Sequence, residues 1–174
     1  MRLVKLFIAC SLDGYIARDD GGIDWLFADQ DYGYSSFFSS IDTVVMGRHT
    51  HDLALSFPVY PYADKTVFVF SRTHPAGEDE RGASFTSESP EDFVSRLRDD
   101  PGRDLWLVGG GQLVRAFLDH DLIDQFEIFV HPVLLGSGLP LFPRGAARTN
   151  LRLEGVTPFV SGLVQLSYTR PLMG

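Results

Sequence analysis

The stretch Leu105-Trp106-Leu107-Val108-Gly109-Gly110-Gly111-Gln112-Leu113 constrains this chain more than any other. Four apolar residues in a row describe a strand buried on both faces, as in a sheet covered by helices on either side. Three glycines follow at once. Gln112 to Leu118 then reads as a helix with Leu113, Val114, Phe117 and Leu118 on one side. A strand that breaks at bare glycine and opens into a helix presents backbone N–H groups at the positive end of the helix dipole. That arrangement suits an anion, most often a phosphate. Glycine lets a ligand approach the backbone because no Cβ stands in the way. The same residues also suit a strand–turn–helix with no ligand, so a second junction of this kind carries weight. Thr43 to Met46 supplies one: a short strand that ends at Gly47, after which Arg48-His49-Thr50-His51-Asp52-Leu53 begins a helix. Here Gly47 allows close approach, Thr50 offers a hydroxyl and Arg48 supplies charge.

The rest of the chain fits around these two junctions. Leu3 to Cys10 reads as a buried strand, followed by the turn-prone Ser11 to Ala17 and an Asp- and Gly-rich loop, Arg18 to Asp24. Asp29 or Asp31 is placed to cap a helix running to about Ser40, with Tyr34, Phe37, Phe38 and Ile41 at helical spacing. Thr66 to Phe70 is a third strand, Ala76 to Gly82 a charged loop, and Ala83 to Thr86 a short strand. Ser89-Pro90-Glu91-Asp92 opens a helix, with Ser as N-cap and Pro in the first turn; Pro101-Gly102 ends it. Gln125 to Val133 is a longer strand, and Leu134 to Phe142 a glycine-broken apolar loop. Arg152 to Val160 and Leu163 to Arg170 form a hairpin about Ser161-Gly162. Strands alternating with helices imply an α/β protein with parallel strands and helices on both faces. The closing hairpin makes the sheet mixed.

Length and charge narrow the possibilities. A chain of 174 residues with no linker and no internal repeat is read as one domain, 1–174. A net charge of -8 argues against a broad nucleic-acid surface, and no apolar run reaches transmembrane length. The apolar run near the N-terminus is cut short by Ser11 and Asp13, and it reads as the first strand rather than a signal peptide. A single cysteine, Cys10, points to a reducing cytoplasm. Set among apolar residues, its thiol has a raised pKa and makes a poor nucleophile. His49 and His51 stand near Asp52, but adjacent helix positions do not face one way, so no metal site is expected.

In open α/β sheets, ligands bind beyond the carboxyl ends of the strands. Three groups lie at such ends: Gly47-Arg48-His49-Thr50, Ser71-Arg72-Thr73 and Gly109-Gly110-Gly111-Gln112. Two helix N-termini suit a pyrophosphate, and Arg72 beside Ser71 suits a further phosphate such as the 2′-phosphate of NADP. Neither a Rossmann GxGxxG nor a Walker A loop occurs.

VVMGRHT, Val44 to Thr50, together with LVGGGQL, Leu107 to Leu113, resembles the dihydrofolate reductase fold. IACSLDGYIA, Ile8 to Ala17, and the run from Gly109 to Phe142 are similar to the reductase domain of bacterial riboflavin biosynthesis. The resemblance implies a three-layer α/β/α fold around a mostly parallel, eight-stranded sheet that binds NADPH. Ala9 and Ile16 would hold the nicotinamide amide, and Gly47, Arg48, His49 and Thr50 the phosphates. Ser71 and Arg72 would lie at the ribose 2′-phosphate, and Val108, Gly109, Gly110, Gly111, Gln112 and Leu113 along the pyrophosphate. A cis peptide is expected at Gly109–Gly110. The segment Leu12 to Trp25 would be a lid over the nicotinamide, with Leu12, Trp25 and Phe38 touching substrate. Asp31 falls where dihydrofolate reductases carry their helix carboxylate; capping the helix is its simpler role. Asp13 reads as a turn residue that positions the lid, and His131 as structural.

The resemblance has departures. The zinc-binding His/Cys set of the deaminase domain that often accompanies the riboflavin-pathway reductase is missing. The substrate-side loop Ser56 to Ala63 contains no Lys or Arg, which favours a flat, apolar or aromatic substrate over a phosphorylated one. The expected activity is NADPH-dependent reduction of a pterin- or pyrimidine-like heterocycle. Its rivals are reduction of 5-amino-6-(5-phosphoribosylamino)uracil and nucleotide or drug binding without turnover. A homodimer is expected from the apolar strand Gln125 to Leu135 and the final hairpin.

Overall fold

The computed structural model describes residues 1–171. Among these residues the main sheet has nine strands: β1 (Val4–Ser11), β3 (Ile41–Gly47), β4 (Thr66–Phe70), β5 (Gly77–Glu78), β6 (Ser84–Thr86), β7 (Asp104–Gly109), β8 (Gln125–His131), β10 (Arg152–Pro158) and β11 (Val164–Thr169). Their order is β10-β11-β8-β1-β7-β3-β4-β6-β5. A second, two-stranded sheet joins β2 (Tyr15–Ala17) to β9 (Leu139–Pro140). The helices are α1 (Tyr34–Ser40), α2 (Arg48–Leu55), α3 (Pro90–Asp99) and α4 (Gly111–Leu118).

From β8 to β6 every neighbouring pair is parallel. The antiparallel pairs lie at the margins, β5 on β6 at one edge and β11 and β10 beyond β8 at the other. The fold is thus the mixed, mostly parallel three-layer arrangement expected, with one strand more than the eight anticipated. The addition comes from β5, where only Gly77 and Glu78 pair with β6. Two residues in a charged segment leave no alternating pattern to read. The same holds for β9, which lies inside what reads as a glycine-broken loop and pairs with β2 instead.

Strand periodicity divides the core in two. Leu105 and Leu107 of β7, Val45 of β3 and Leu6 of β1 face α3 and α4, where Phe93, Val94, Leu97, Val114, Phe117 and Leu118 are buried. Trp106 of β7, Val44 and Met46 of β3 and Val67 and Val69 of β4 face the other way, toward Ala54 of α2 and the rings of Phe37 and Phe38 on α1. Four apolar residues in a row in β7 therefore serve two cores, because successive side chains alternate across the sheet. The start of α3 follows its sequence signature, with the Ser89 hydroxyl accepting the Asp92 N–H at 3.1 Å and Pro90 in the first turn. No helix among the described residues is long and apolar enough to cross a membrane.

Candidate functional site

The parallel strands end together. Gly47 closes β3 opposite Phe70 of β4, so Ser71 and Arg72 emerge beside it. On the other flank Met46 pairs with Gly109 of β7. The two strand–glycine–helix junctions thus form one ledge. A Cβ built on Gly47 would lie 3.8 Å from both the Gly109 carbonyl oxygen and the Gly110 nitrogen, and one on Gly110 would lie 3.8 Å from the Thr50 hydroxyl. The Gly109–Gly110 peptide is cis, and Gly109 has φ +124°. That backbone conformation excludes an ordinary side chain. α2 and α4 both begin at this ledge without a side-chain cap, so their first N–H groups are free of a capping side chain.

The remaining cofactor candidates divide by surroundings. Arg48 and His49 are exposed and Thr50 half-buried at the first turn of α2; Arg48 Nε lies 3.8 Å from Asp52. Ser71 accepts from the Thr73 and His74 amides, which shapes the loop that carries the exposed Arg72. Val108 and Leu113 are half-buried, and Gln112 is exposed at the start of α4. Gly111 has a different task. Its Cβ would fall 2.4 Å from the Pro140 carbonyl oxygen, so this glycine admits the 139–141 segment. Ala9 lies half-buried on β1 opposite Phe129, and Ile16 packs on the α3–α4 core.

The segment Leu12 to Trp25, expected to form a lid, is tied down at several points. Asp13 accepts the Ser11 hydroxyl at 2.6 Å and the Leu135 and Gly136 amides at 3.1 and 2.8 Å. Those bonds, the Ser11 hydroxyl foremost, hold its carboxyl below the usual range. Asp13 therefore joins two loops as an anion. Arg18 to Gly22 is a hydrogen-bonded turn, with Arg18 paired to Asp20 and Asp24. His131, at the end of β8, is 3% exposed. Its Nε2 accepts the Phe27 N–H at 3.2 Å, and its Nδ1–H donates to the Phe129 carbonyl at 3.1 Å. The bond accepted from Phe27 requires neutral imidazole, with the proton on Nδ1. Burial lowers its pKa and outweighs the bond to Phe129. Trp25 stands edge-on to this ring at 5.3 Å.

Leu12, Trp25 and Phe38, the expected substrate contacts, do not share one cluster. Leu12 is 65% exposed beside the Asp13 turn, and Trp25 belongs with His131. Phe38 packs with Tyr34 and Trp106 and carries the Lys65 ammonium 4.1 Å above its ring. Beneath α1, Phe7 stacks on Phe37 at 4.1 Å and touches Trp106 and Phe129. Phe7 and Phe129 escape sequence reading because their ring contacts join β1 and β8 to α1 and β7 across long stretches of chain. Asp31 is exposed. It accepts the Ser35 hydroxyl at 2.5 Å and the Ser35 amide at 3.1 Å, and the hydroxyl bond is first among the causes that lower its pKa. The residue at the N-cap position is Gly33, in the left-handed conformation, so Asp31 stabilises the helix start from two positions earlier. Cys10 is buried, and burial pushes its thiol up to about 11. No group of three His, Cys, Asp or Glu side chains among the described residues could hold a metal.

A ledge of glycine-opened strand ends and two helix starts on a mostly parallel sheet describes the dihydrofolate reductase-like fold. Within it, the model of the RibD C-terminal domain matches residues 2–165, and the chain belongs to that family. It is 44% identical over 173 residues to the uncharacterized protein YwjB of Bacillus subtilis, covering 97% of this chain and 98% of that one. The uncharacterized protein YyaP of the same organism is 36% identical, with 96% and 94% covered. Among solved structures, a candidate riboflavin biosynthesis protein of Shewanella sp. PV-4 superposes with a TM-score of 0.88 at 32% identity, over 98% of this chain and 99% of the other. The Thermotoga maritima diaminohydroxyphosphoribosylaminopyrimidine deaminase/5-amino-6-(5-phosphoribosylamino)uracil reductase gives 0.76 at 18% identity, over 98% of this chain and 57% of that one. Enterococcus faecalis dihydrofolate reductase complexed with NADP(H) gives 0.72 at 18% identity, over 97% and 96%.

Proposed function

We propose that the protein is an NADPH-dependent reductase of a pterin- or pyrimidine-like heterocycle. The observation that carries this reading is the ledge, where a Cβ on Gly47 would reach the Gly109–Gly110 peptide and one on Gly110 the Thr50 hydroxyl, and where Ser71–Arg72 emerges alongside. Bare backbone and two helix starts suit a pyrophosphate, and the exposed Arg72 suits a ribose 2′-phosphate. The complex of the Enterococcus reductase with NADP(H) supports the same ligand class.

Bound there, the cofactor supplies a hydride from C4 of its nicotinamide to a C=N or C=O bond. The chain's part is to orient and enclose. Ala9 and Ile16 offer backbone groups at the nicotinamide end. The lid is held over that end by Asp13, through Leu135 and Gly136, and by His131, through Phe27. The Phe7–Phe37–Trp106 cluster beneath α1 gives a flat substrate an aromatic wall. Asp31, ionised and engaged with Ser35, serves the helix, and the proton comes from solvent.

The second reading is reduction of 5-amino-6-(5-phosphoribosylamino)uracil, the activity printed for the Thermotoga relative. Against it, Ser56 to Ala63 offers no cation for a substrate phosphate, and the Lys65 side chain is 5% exposed, held over Phe38 and beside Asp64. The third is a binding protein without turnover. Fluorescence titration with NADPH, followed by oxidation assays with dihydrofolate, other pterins, the ribosylaminopyrimidine phosphate and simple carbonyl compounds, separates the three. Absence of NADPH binding overturns the proposal. The same reading includes a homodimer in the cytoplasm.

A further inference from the structure

We infer that His51 is a positioning residue that fixes the Arg72 loop against the phosphate-facing helix, and so sets preference for a 2′-phosphorylated dinucleotide. The inference rests on the NADPH reading for its ligand, and on geometry alone for the anchoring.

His51 lies on α2, immediately after Thr50, and is 1% exposed. A buried histidine in a helix that begins at a ligand ledge needs partners. Its Nε2 lies 2.8 Å from the Asp79 carboxylate, and its Nδ1 lies 3.4 Å from the Tyr60 hydroxyl. With Nε2–H donating to Asp79 and Nδ1 accepting from Tyr60, the neutral ring is satisfied on both sides. The ring also packs edge-on against Tyr60 and Phe85.

Asp79 explains what the contact is for. Its other carboxylate oxygen accepts the Arg81 and Ala83 amides, each at 2.9 Å, and so shapes the turn between β5 and β6. The loop that carries Arg72 leaves β4 at Ser71 and returns through β5. Its near end is fixed, since the Ser71 amide bonds the Thr86 carbonyl and the His74 ring stacks on Phe85 at 3.8 Å. Its far end meets the sheet through the two-residue β5 ladder, continued by the Asp79 amide donating to the Ala83 carbonyl at 3.0 Å. Such a short edge hairpin holds a strand weakly, and the His51–Asp79 bond adds an attachment to α2. It links the far end of the Arg72 loop to the helix whose first turn faces the phosphates.

The test compares the wild-type chain with His51→Phe, which keeps a ring against Phe85 and Tyr60 but removes the donor. His51→Gln, whose amide can reach Asp79, is the conservative control. Titration of each with NADPH and with NADH should show NADPH binding weakened about tenfold in His51→Phe while NADH binding changes about twofold or less. His51→Gln should restore the preference. Hydrogen exchange across residues 72–83 should accelerate in His51→Phe and return in His51→Gln. An equal loss for both dinucleotides, or unchanged exchange in that segment, overturns the inference. If the wild-type chain binds neither dinucleotide, the reductase reading falls and takes the ligand preference with it. The exchange data then decide separately whether His51 anchors the loop.

Discussion

At the scale of single residues, His131 gives the chain a pH dependence with a definite sign. Its folded-state pKa lies below the ordinary 6.5 because the ring is buried, and protonation would also break the bond that its Nε2 accepts from the Phe27 amide. The unfolded chain therefore binds this proton more readily than the folded one. The stabilisation is complete above about pH 6.5 and is lost as pH falls toward the lower folded value. Thermal unfolding followed between pH 8 and pH 5 should show stability declining below about 6.5, with a slope of at most about 1.4 kcal/mol per pH unit, the limit for one proton. His131→Gln, which can still accept the amide, should flatten that slope; an unchanged slope would locate the proton elsewhere. Asp31 makes the opposite case. It is exposed, and its bonds to Ser35 keep it ionised near neutrality. Asp31→Asn retains an acceptor for the helix start and should leave turnover within about threefold, since positioned proton transfer is worth far more than that. A loss of a hundredfold or more would restore it as the proton donor. The sequence places both roles at this position and cannot choose between them, because Ser35 lies one helical turn away and its bond to Asp31 depends on where the helix begins.

At the scale of elements, the glycines divide into two kinds that look alike in sequence. Gly47 and Gly110 have negative φ, and an added Cβ would meet its nearest neighbours at an ordinary 3.8 Å. Gly47→Ala and Gly110→Ala should fold with little change in melting temperature while weakening NADPH binding, because the methyl group enters the ledge. Gly111→Ala should do the reverse. Its Cβ would collide with the Pro140 carbonyl, and overpacking of this kind costs about 1–3 kcal/mol. Calorimetric unfolding and dinucleotide titration on the same three variants check both halves. The strand–glycine–helix junctions were legible because an apolar run, bare glycine and helical spacing all lie within a dozen residues. β9 was not, because Leu139–Pro140 pairs with β2 across more than a hundred residues of chain, and the glycines around it read as breaks. The same holds for Asp13. Its own turn is local, but its partners Leu135 and Gly136 are brought in only by β8 running parallel to β1.

At the scale of the molecule, the core does not stop where the helices do. On the face that carries α3 and α4, Ile128 of β8 pairs with Leu166 of β11, which pairs with Val156 of β10. Exposure rises along that row, from 8% at Ile128 through half-buried Leu166 to 53% at Val156. The parallel row Phe126, Tyr168, Leu153 ends the same way, with Leu153 at 53%. An apolar stripe that runs from a closed core to an open sheet edge is costly to leave in water. Among the described residues no strand pairs with the outer side of the edge strand β10. A second copy meeting it across a two-fold axis presents the same stripe and the same edge, so one set of residues is covered twice. Light scattering coupled to size exclusion should therefore give about twice the 19.4 kDa of one chain. Leu153→Lys with Val156→Lys, both remote from the ledge in sequence and on the far wing of the sheet, should shift the mass to a single chain and leave NADPH binding intact. A wild-type mass of one chain at micromolar concentration would mean that the hairpin tolerates its exposure, and the dimer would have to be abandoned while the reductase reading stood.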